Sequence, residues 1–142
     1  MGKGKWNKYL QFAPENLRGQ IIYKEPVPDI EKYYAAADIF VLPSIYEPFG
    51  NANLEALASG LPVITTRHCG AADIIQHRQN GLIVETPESS EEVAENINHL
   101  FDPTVRQSMG QNGRALAEQF SPEKNTREML KTYQEIISDK DK

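Results

Sequence analysis

The sequence is poor in several features that would mark particular classes of protein. Its single cysteine, Cys69, cannot form a disulfide within the chain, so nothing points to an oxidising compartment. No apolar run comes close to the roughly 18 residues of a membrane-spanning helix, and the N-terminus has no apolar signal region. We therefore expect a cytoplasmic protein.

An excess of positive charge is also missing. Lys and Arg total 15 against 20 Asp and Glu, which gives a net charge of −5. A nucleic-acid-binding module is usually basic or carries a basic stripe, so no nucleic-acid partner is expected. The lysines gathered at the two ends are expected to be solvated, with contact to anionic lipid as the alternative: Lys3, Lys5, Lys8, Lys140 and Lys142.

What the sequence contains is ordinary for a folded domain. The 142 residues are 39% hydrophobic and 25% charged, which predicts one domain over 1–142, with 138–142 as a disordered tail. Short apolar β-branched runs alternate with longer helical patterns. Strands are predicted at 20–23, 38–43, 62–66 and 81–84, and helices at 29–37, 51–59, 71–76, from 90, from 102 to about 120, and from 121 through 137.

This alternation predicts an α/β fold, in which a Rossmann-like parallel sheet is flanked by helices. The runs at 38–43 and 62–66 are almost continuously apolar, as in strands that are buried on both faces. Parallel sheets of this kind bind ligands beyond the carboxyl ends of their strands. The segment that follows Pro43 is therefore the first place to look for a site.

That segment, 44–62, predicts a strand end, a turn at Gly50 and a helix that begins near Asn51. The free N–H groups of a helix N-terminus favour anions, and a residue without Cβ allows a ligand to approach the backbone. Two carboxylates, Glu47 and Glu55, can flank one pocket there and accept hydrogen bonds from sugar hydroxyls. Taken singly, Glu47 is better explained as a surface charge of a loop, and Glu55 as compensation of the helix dipole.

The whole segment resembles the glycosyltransferase group 1 family, whose signature is two glutamates eight positions apart around a Phe-Gly turn. Here these are Glu47 and Glu55 around Phe49-Gly50, and the flanking segments 34–44 and 55–64 match as well. The similarity runs from Gly2-Lys3-Gly4 to about Phe101. The resemblance implies the C-terminal, donor-binding domain of a GT-B-fold enzyme, truncated at its N-terminal end.

The resemblance also implies roles for particular residues. Glu55 would hold the ribose hydroxyls of the donor, and Glu47 would act as the catalytic residue, touching the transferred sugar and supporting a cationic transition state. The backbone near Pro48, from Phe49 through Gly50 to Asn51, would meet the sugar and the diphosphate. The loop at Val27 and Pro28 would line the base.

The implied reaction transfers a hexose from a nucleoside diphosphate sugar with retention, without a cofactor or an obligate metal. The donor would be UDP-, GDP- or ADP-linked, and the acceptor a glycan or a lipid-linked saccharide such as lipopolysaccharide. Asp139-Lys140-Asp141 spells a motif of metal-dependent enzymes of another fold, but at this charged tip we expect only a tail.

The sequence departs from the family in three ways. Pro48 stands where glycine is usual, and the loop 69–73 reads Cys-Gly-Ala-Ala-Asp where the family has Gly-Gly and then glutamate. The acceptor domain, with the Arg and the Lys that neutralise the diphosphate, has no counterpart. The chain alone is thus expected to bind donor weakly without catalysis, and membrane contact, at the inner face, is expected only through the longer enzyme.

Two other interpretations remain open at this stage. The chain can be a donor-binding subunit that is complete only with a separate acceptor-binding chain. It can also be a catalytically silent nucleotide-binding module, although a silent pocket gives no reason to keep Glu47, Gly50 and Glu55 together.

Overall fold

A computed structural model describes residues 7–140 of the protein. The chain divides into two compact units, Met1–Ile30 and Glu31–Lys142, and each is described by itself. The Gly2-Lys3-Gly4 loop, with which the family resemblance begins, lies outside the described residues, and so does Asp141. The prediction of a single domain over 1–142 stays a prediction.

The first unit contains no β-strand within its described part. Helix α1 covers Asn7–Leu10, and a 3₁₀ helix covers Glu15–Gln20. The strand predicted at 20–23 is therefore wrong: Gln20 ends the 3₁₀ helix, and 21–23 pair with no other described residue in a ladder. Apolar β-branched residues favour extended backbone, but a strand also needs a neighbouring strand, and Ile22 is 76% exposed.

The second unit is built on three parallel strands. They are β1 (Phe40–Leu42), β2 (Val63–Thr66) and β3 (Leu82–Val84), in the order β1-β2-β3. The register pairs Val41 with Ile64, and Ile64 with Leu82. Every residue of β2 and β3 is buried, whereas the three residues of β1 are only partly buried. Burial on both faces, predicted for the runs at 38–43 and 62–66, is therefore confirmed for β2 and wrong for β1. The α/β fold with a parallel sheet flanked by helices is confirmed.

The helices beyond the first unit's are α2 (Ile30–Ala36), α3 (Asn51–Ala58), α4 (Ser90–His99), α5 (Pro103–Ala117) and α6 (Pro122–Lys140). Of these, α3 and α4 pack against the sheet, and α5 packs against α3. Neighbouring strand residues point to opposite faces. Thr65 of β2 meets Asn53 of α3, whereas Ile64 packs with Leu100, just after α4.

Local signals explain where the helices begin and end. Gly60, in the left-handed region at φ +79°, follows α3, and Ser89 caps α4 by accepting a hydrogen bond from the N–H of Glu92. Asp102 caps α5 through the N–H of Thr104 at 2.8 Å, and Pro103 occupies the first turn. Glu91 and Glu92 place negative charge at the start of α4, where the helix dipole favours it.

Two details differ from the sequence-based expectations. The helix predicted at 71–76 is a 3₁₀ helix over Gly70–Asp73. Ser138 and Asp139 belong to α6, so the tail predicted at 138–142 is wrong up to Lys140, because the helix continues; 141–142 lie outside the described residues. The large apolar side chains of α6 are exposed: Met129, Leu130, Tyr133, Ile136 and Ile137.

The contact between α5 and the turn after α3 generates a prediction. A Cβ on Gly110 would overlap the carbonyl oxygen of Gly60. Because backbone cannot yield cheaply, Gly110→Ala is expected to lower the free energy of unfolding by about 1–3 kcal/mol in a urea titration. Gln111→Ala, at an exposed position on the same helix, is the control and should stay within about 0.5 kcal/mol. Equal stability of the two variants would contradict this packing.

Candidate functional site

The candidate site lies where β1 and β2 end side by side. The parallel pairing continues past the strands: the Thr66 hydroxyl donates to the carbonyl oxygen of Ser44 at 2.6 Å, and Glu47 forms an isolated parallel bridge with Cys69. The loop 43–50 is therefore held beside the loop 67–70. Both loops lie beyond the carboxyl ends of the strands, where parallel sheets bind ligands.

Gly50 makes the turn from the first loop into α3. Its backbone is left-handed, at φ +77° and ψ +66°, which side chains other than glycine rarely adopt. A Cβ there would come within 2.8 Å of the Asn53 side chain and 2.9 Å of Cys69 Sγ. The sequence predicted that Gly50 lets a ligand approach the backbone; the structure shows that the turn itself requires a glycine.

The N-terminus of α3 is open. The N–H of Asn53 donates to the carbonyl oxygen of Gly50 at 2.8 Å, and among residues 7–140 no side chain caps the helix. The first N–H groups of a helix have no partner inside it and carry partial positive charge. This end of α3 is thus suited to an anionic group, with Asn51 exposed beside it.

Glu47 is anchored through its backbone. Its N–H donates to the carbonyl oxygen of His68 at 3.2 Å, and its carbonyl oxygen accepts from the N–H of Gly70 at 3.0 Å. The side chain is half-buried and lines an open cleft of about 320 Å³. Other side chains that line this cleft are Tyr46, Pro48, Arg67, His68 and Asp73.

Glu55 is held by a residue that the sequence did not single out for the site. The hydroxyl of Tyr34, on α2, donates to Oε2 of Glu55 at 3.0 Å. Tyr34 is only 8% exposed and packs edge-on against the ring of Phe40 at 5.8 Å. Burial, followed by the hydrogen bond and the negative charge of Glu55, raises the pKa of Tyr34 to about 12. Its position in an apolar helical stripe predicted only packing.

The structure brings some of the predicted residues together and separates others. Phe49 and Asn51 line a cavity of about 600 Å³ with Leu54 and the start of α6. Glu47 lines the other cleft, while Glu55 is exposed and lines neither of these two cavities. Neither of these two cavities is therefore flanked by both carboxylates, whereas the sequence predicted a single pocket flanked by both.

The remaining predicted residues are Pro48, Val27 and Pro28. Pro48 is exposed, and its carbonyl oxygen lies so close to Gly70 that a Cβ there would overlap it. Val27 and Pro28 belong to the first unit, half-buried and exposed respectively. Their predicted contact with a base stays a prediction.

Residues 7–140 contain neither a metal-binding cluster nor a helix that could cross a membrane. Between residues 7 and 140, no group of three or more His, Cys, Asp or Glu is placed to hold a metal ion. Within the same range, no helix combines the length and the apolar character needed to cross a membrane.

Comparison with known proteins identifies the family. The sequence profile of the glycosyl transferases group 1 matches residues 1–116, so the chain belongs to this family. It is 33% identical over 121 residues to the capsular polysaccharide biosynthesis glycosyltransferase CapM of Staphylococcus aureus. That match covers 84% of this chain and 32% of CapM. The chain thus spans about a third of the length of its curated relatives.

Solved structures agree with this assignment. A sucrose-phosphate synthase of Thermosynechococcus elongatus superposes with a TM-score of 0.79 and 31% identity, over 87% of this chain and 32% of that one. Anabaena HepE in complex with UDP-glucose superposes with a TM-score of 0.80 and 25% identity, over 95% of this chain and 38% of that one. Nucleotide-sugar binding is thus found among the structural neighbours.

The Tyr34–Glu55 contact predicts a pH dependence. Because the pKa of Tyr34 is about 12 when folded and about 10 when unfolded, the unfolded chain releases this proton first as pH rises. Tyr34 should therefore lose about 1–1.5 kcal/mol of its contribution to the free energy of unfolding between pH 9 and pH 11. Urea titrations of wild type and Tyr34→Phe at pH 9 and pH 11 measure this loss. The stability advantage of wild type over the variant should be smaller at pH 11 than at pH 9, or should reverse. A difference independent of pH would contradict a buried, bonded hydroxyl.

Proposed function

We propose that this chain is the donor-binding part of a glycosyltransferase that moves a hexose from a nucleoside diphosphate sugar to an acceptor. The observation that carries the proposal is the Gly50 turn, which leads into an uncapped helix with Glu47 before it and Glu55 in its second turn. The N–H groups at such a turn can donate to a diphosphate, and the carboxylates before and after the turn can accept from sugar hydroxyls.

In this proposal Glu55 binds the ribose. Its carboxylate is exposed, and Tyr34 holds Oε2 and so limits the rotamers of the side chain. A carboxylate that is oriented in advance loses less conformational entropy when it accepts hydrogen bonds from the two ribose hydroxyls. The exposed position also keeps the charge in water until the ligand arrives.

The diphosphate would then lie at the start of α3. We assign it to the backbone from Phe49 through Gly50 to Asn51, beside Pro48. Glu47 would contact the transferred sugar as the catalytic residue, and the two hydrogen bonds that fix its backbone support this role. Retention of anomeric configuration and independence from a metal belong to the proposal, and the complex of HepE with UDP-glucose supports the kind of ligand.

Other parts of the reaction are proposed on the family alone. Val27 and Pro28 would line the base, which is that of UDP, GDP or ADP. An acceptor-binding domain beyond these 142 residues would take a glycan or a lipid-linked saccharide such as lipopolysaccharide. The enzyme would work in the cytoplasm, with a peripheral position at the inner membrane face. A donor-binding subunit that works with a separate acceptor-binding chain is the alternative, because the relatives are about three times as long.

A titration tests the donor site. UDP, GDP and ADP are added to the chain, and binding is followed by NMR shift changes. One nucleotide should bind, and Glu55→Gln should weaken it on the order of tenfold or more, because hydrogen bonds to a charged acceptor contribute about 1.5–3 kcal/mol.

Glu95→Gln, at an exposed position on α4, removes the same charge elsewhere and should leave the affinity unchanged. Equal affinity of Glu55→Gln and wild type would refute the ribose assignment. No binding of any of the three nucleotides to wild type would refute a donor site in this chain.

A further inference from the structure

A chain of hydrogen bonds, from the buried Asn53 through the buried Cys69 to the carbonyl of Phe49, joins α3 to the loop that precedes it; we call this chain of bonds the relay. Asn53 is fully buried, and its Nδ2 donates to Cys69 Sγ at 3.2 Å and to Thr65 Oγ1 at 3.5 Å. Cys69 Sγ in turn donates to the carbonyl oxygen of Phe49 at 3.2 Å. That same oxygen also accepts from the N–H of Ala71 at 2.9 Å. The Phe49 carbonyl is therefore held toward the interior from two directions.

Because the peptide bond is planar, fixing the Phe49 carbonyl also fixes the direction of the Gly50 N–H. In a trans peptide the C=O and the following N–H point in opposite directions, and no cis peptide occurs between residues 7 and 140. Because the Phe49 oxygen points at Cys69, which is 1% exposed, the N–H of Gly50 must point away from Cys69. This N–H stands immediately before α3, whose open N-terminus suits an anion.

Packing alone does not account for Asn53. Its Oδ1 is buried without a hydrogen-bond partner in the described part of the chain. Burial of an amide oxygen without a hydrogen-bond partner lowers the free energy of unfolding relative to an apolar side chain of similar size. The polar contacts of Asn53 connect it to Cys69 and, through Cys69, to Phe49.

We propose that Asn53 and Cys69 are positioning residues that fix the Phe49–Gly50 peptide and aim the Gly50 N–H at the donor diphosphate. This inference rests on the proposed function. It separates two parts of the donor: the relay acts on the diphosphate, whereas the ribose depends on Glu55, which lies one helical turn away.

The test compares three variants by NMR titration with UDP-glucose, or the nucleotide sugar whose base wild type prefers, and with the corresponding nucleoside. Cys69→Ala removes the donor to Phe49, and is expected to weaken binding of the nucleotide sugar on the order of 3- to 10-fold while nucleoside binding is unchanged. Cys69→Ser keeps a donor and an acceptor, so it should restore most of the affinity.

Asn53→Leu supplies a signature that a merely structural role would not produce. It should unfold at no lower urea concentration than wild type, because the unmatched oxygen is gone. It should nevertheless bind the nucleotide sugar more weakly. Wild-type affinity in both Cys69→Ala and Asn53→Leu, or an equal loss of nucleoside binding, would overturn the proposal.

Amide hydrogen exchange of the ligand-free protein keeps this inference separable from the proposed function. The N–H of Ala71 should exchange faster in Cys69→Ala than in wild type and Cys69→Ser, because its acceptor on Phe49 becomes mobile. The N–H of Leu61, bonded to Ala56 at the far end of α3, is the reference. Unchanged exchange at Ala71 would overturn the positioning role even if no nucleotide binds, whereas faster exchange without nucleotide binding would refute only the donor site.

Discussion

The parallel pairing of β1 with β2 is the constraint on which the site depends. The register that places Val41 beside Ile64 also decides which loop residues meet beyond the strands. It brings Glu47 against Cys69, and it lets Thr66 anchor the backbone at Ser44. A shift of one residue would turn the buried side chains of β2 to the opposite faces, so the core and the site are specified together.

The two glutamates of the family signature lie in different surroundings, although only eight residues separate them. Glu47 is half-buried, and its backbone is bonded on both sides to the neighbouring loop. Glu55 is exposed on a helix, and its orientation comes from a tyrosine on another helix. Fixed backbone suits a group that must stand at a reacting centre, whereas a tethered, solvated carboxylate suits recognition of hydroxyls.

Glycine and buried polar groups together shape the loop. The left-handed turn at Gly50 leaves space that the Asn53 amide and the Cys69 thiol occupy. At Gly70, the carbonyl oxygen of Pro48 takes the space of a side chain. Backbone approaches this close are possible only without Cβ, and they allow two loops to form hydrogen bonds directly instead of through longer side chains. Precision at the site thus comes from small residues and short contacts.

Much of this organisation could be predicted from the amino-acid sequence, because it depends on local chemistry. The continuous apolar run at 62–66 predicted the buried strand β2, helical patterns predicted α4 and α5, and the Glu47–Glu55 spacing around Phe49-Gly50 pointed to the family. Other features needed the tertiary structure, because they depend on partners distant in the chain. Residues 21–23 have strand-forming side chains but form no strand within residues 7–140. Tyr34 lies on a helix and contacts Glu55, and Asn53 reaches Cys69 across 16 positions. Local preference determines what a segment can form, and only packing decides what it meets.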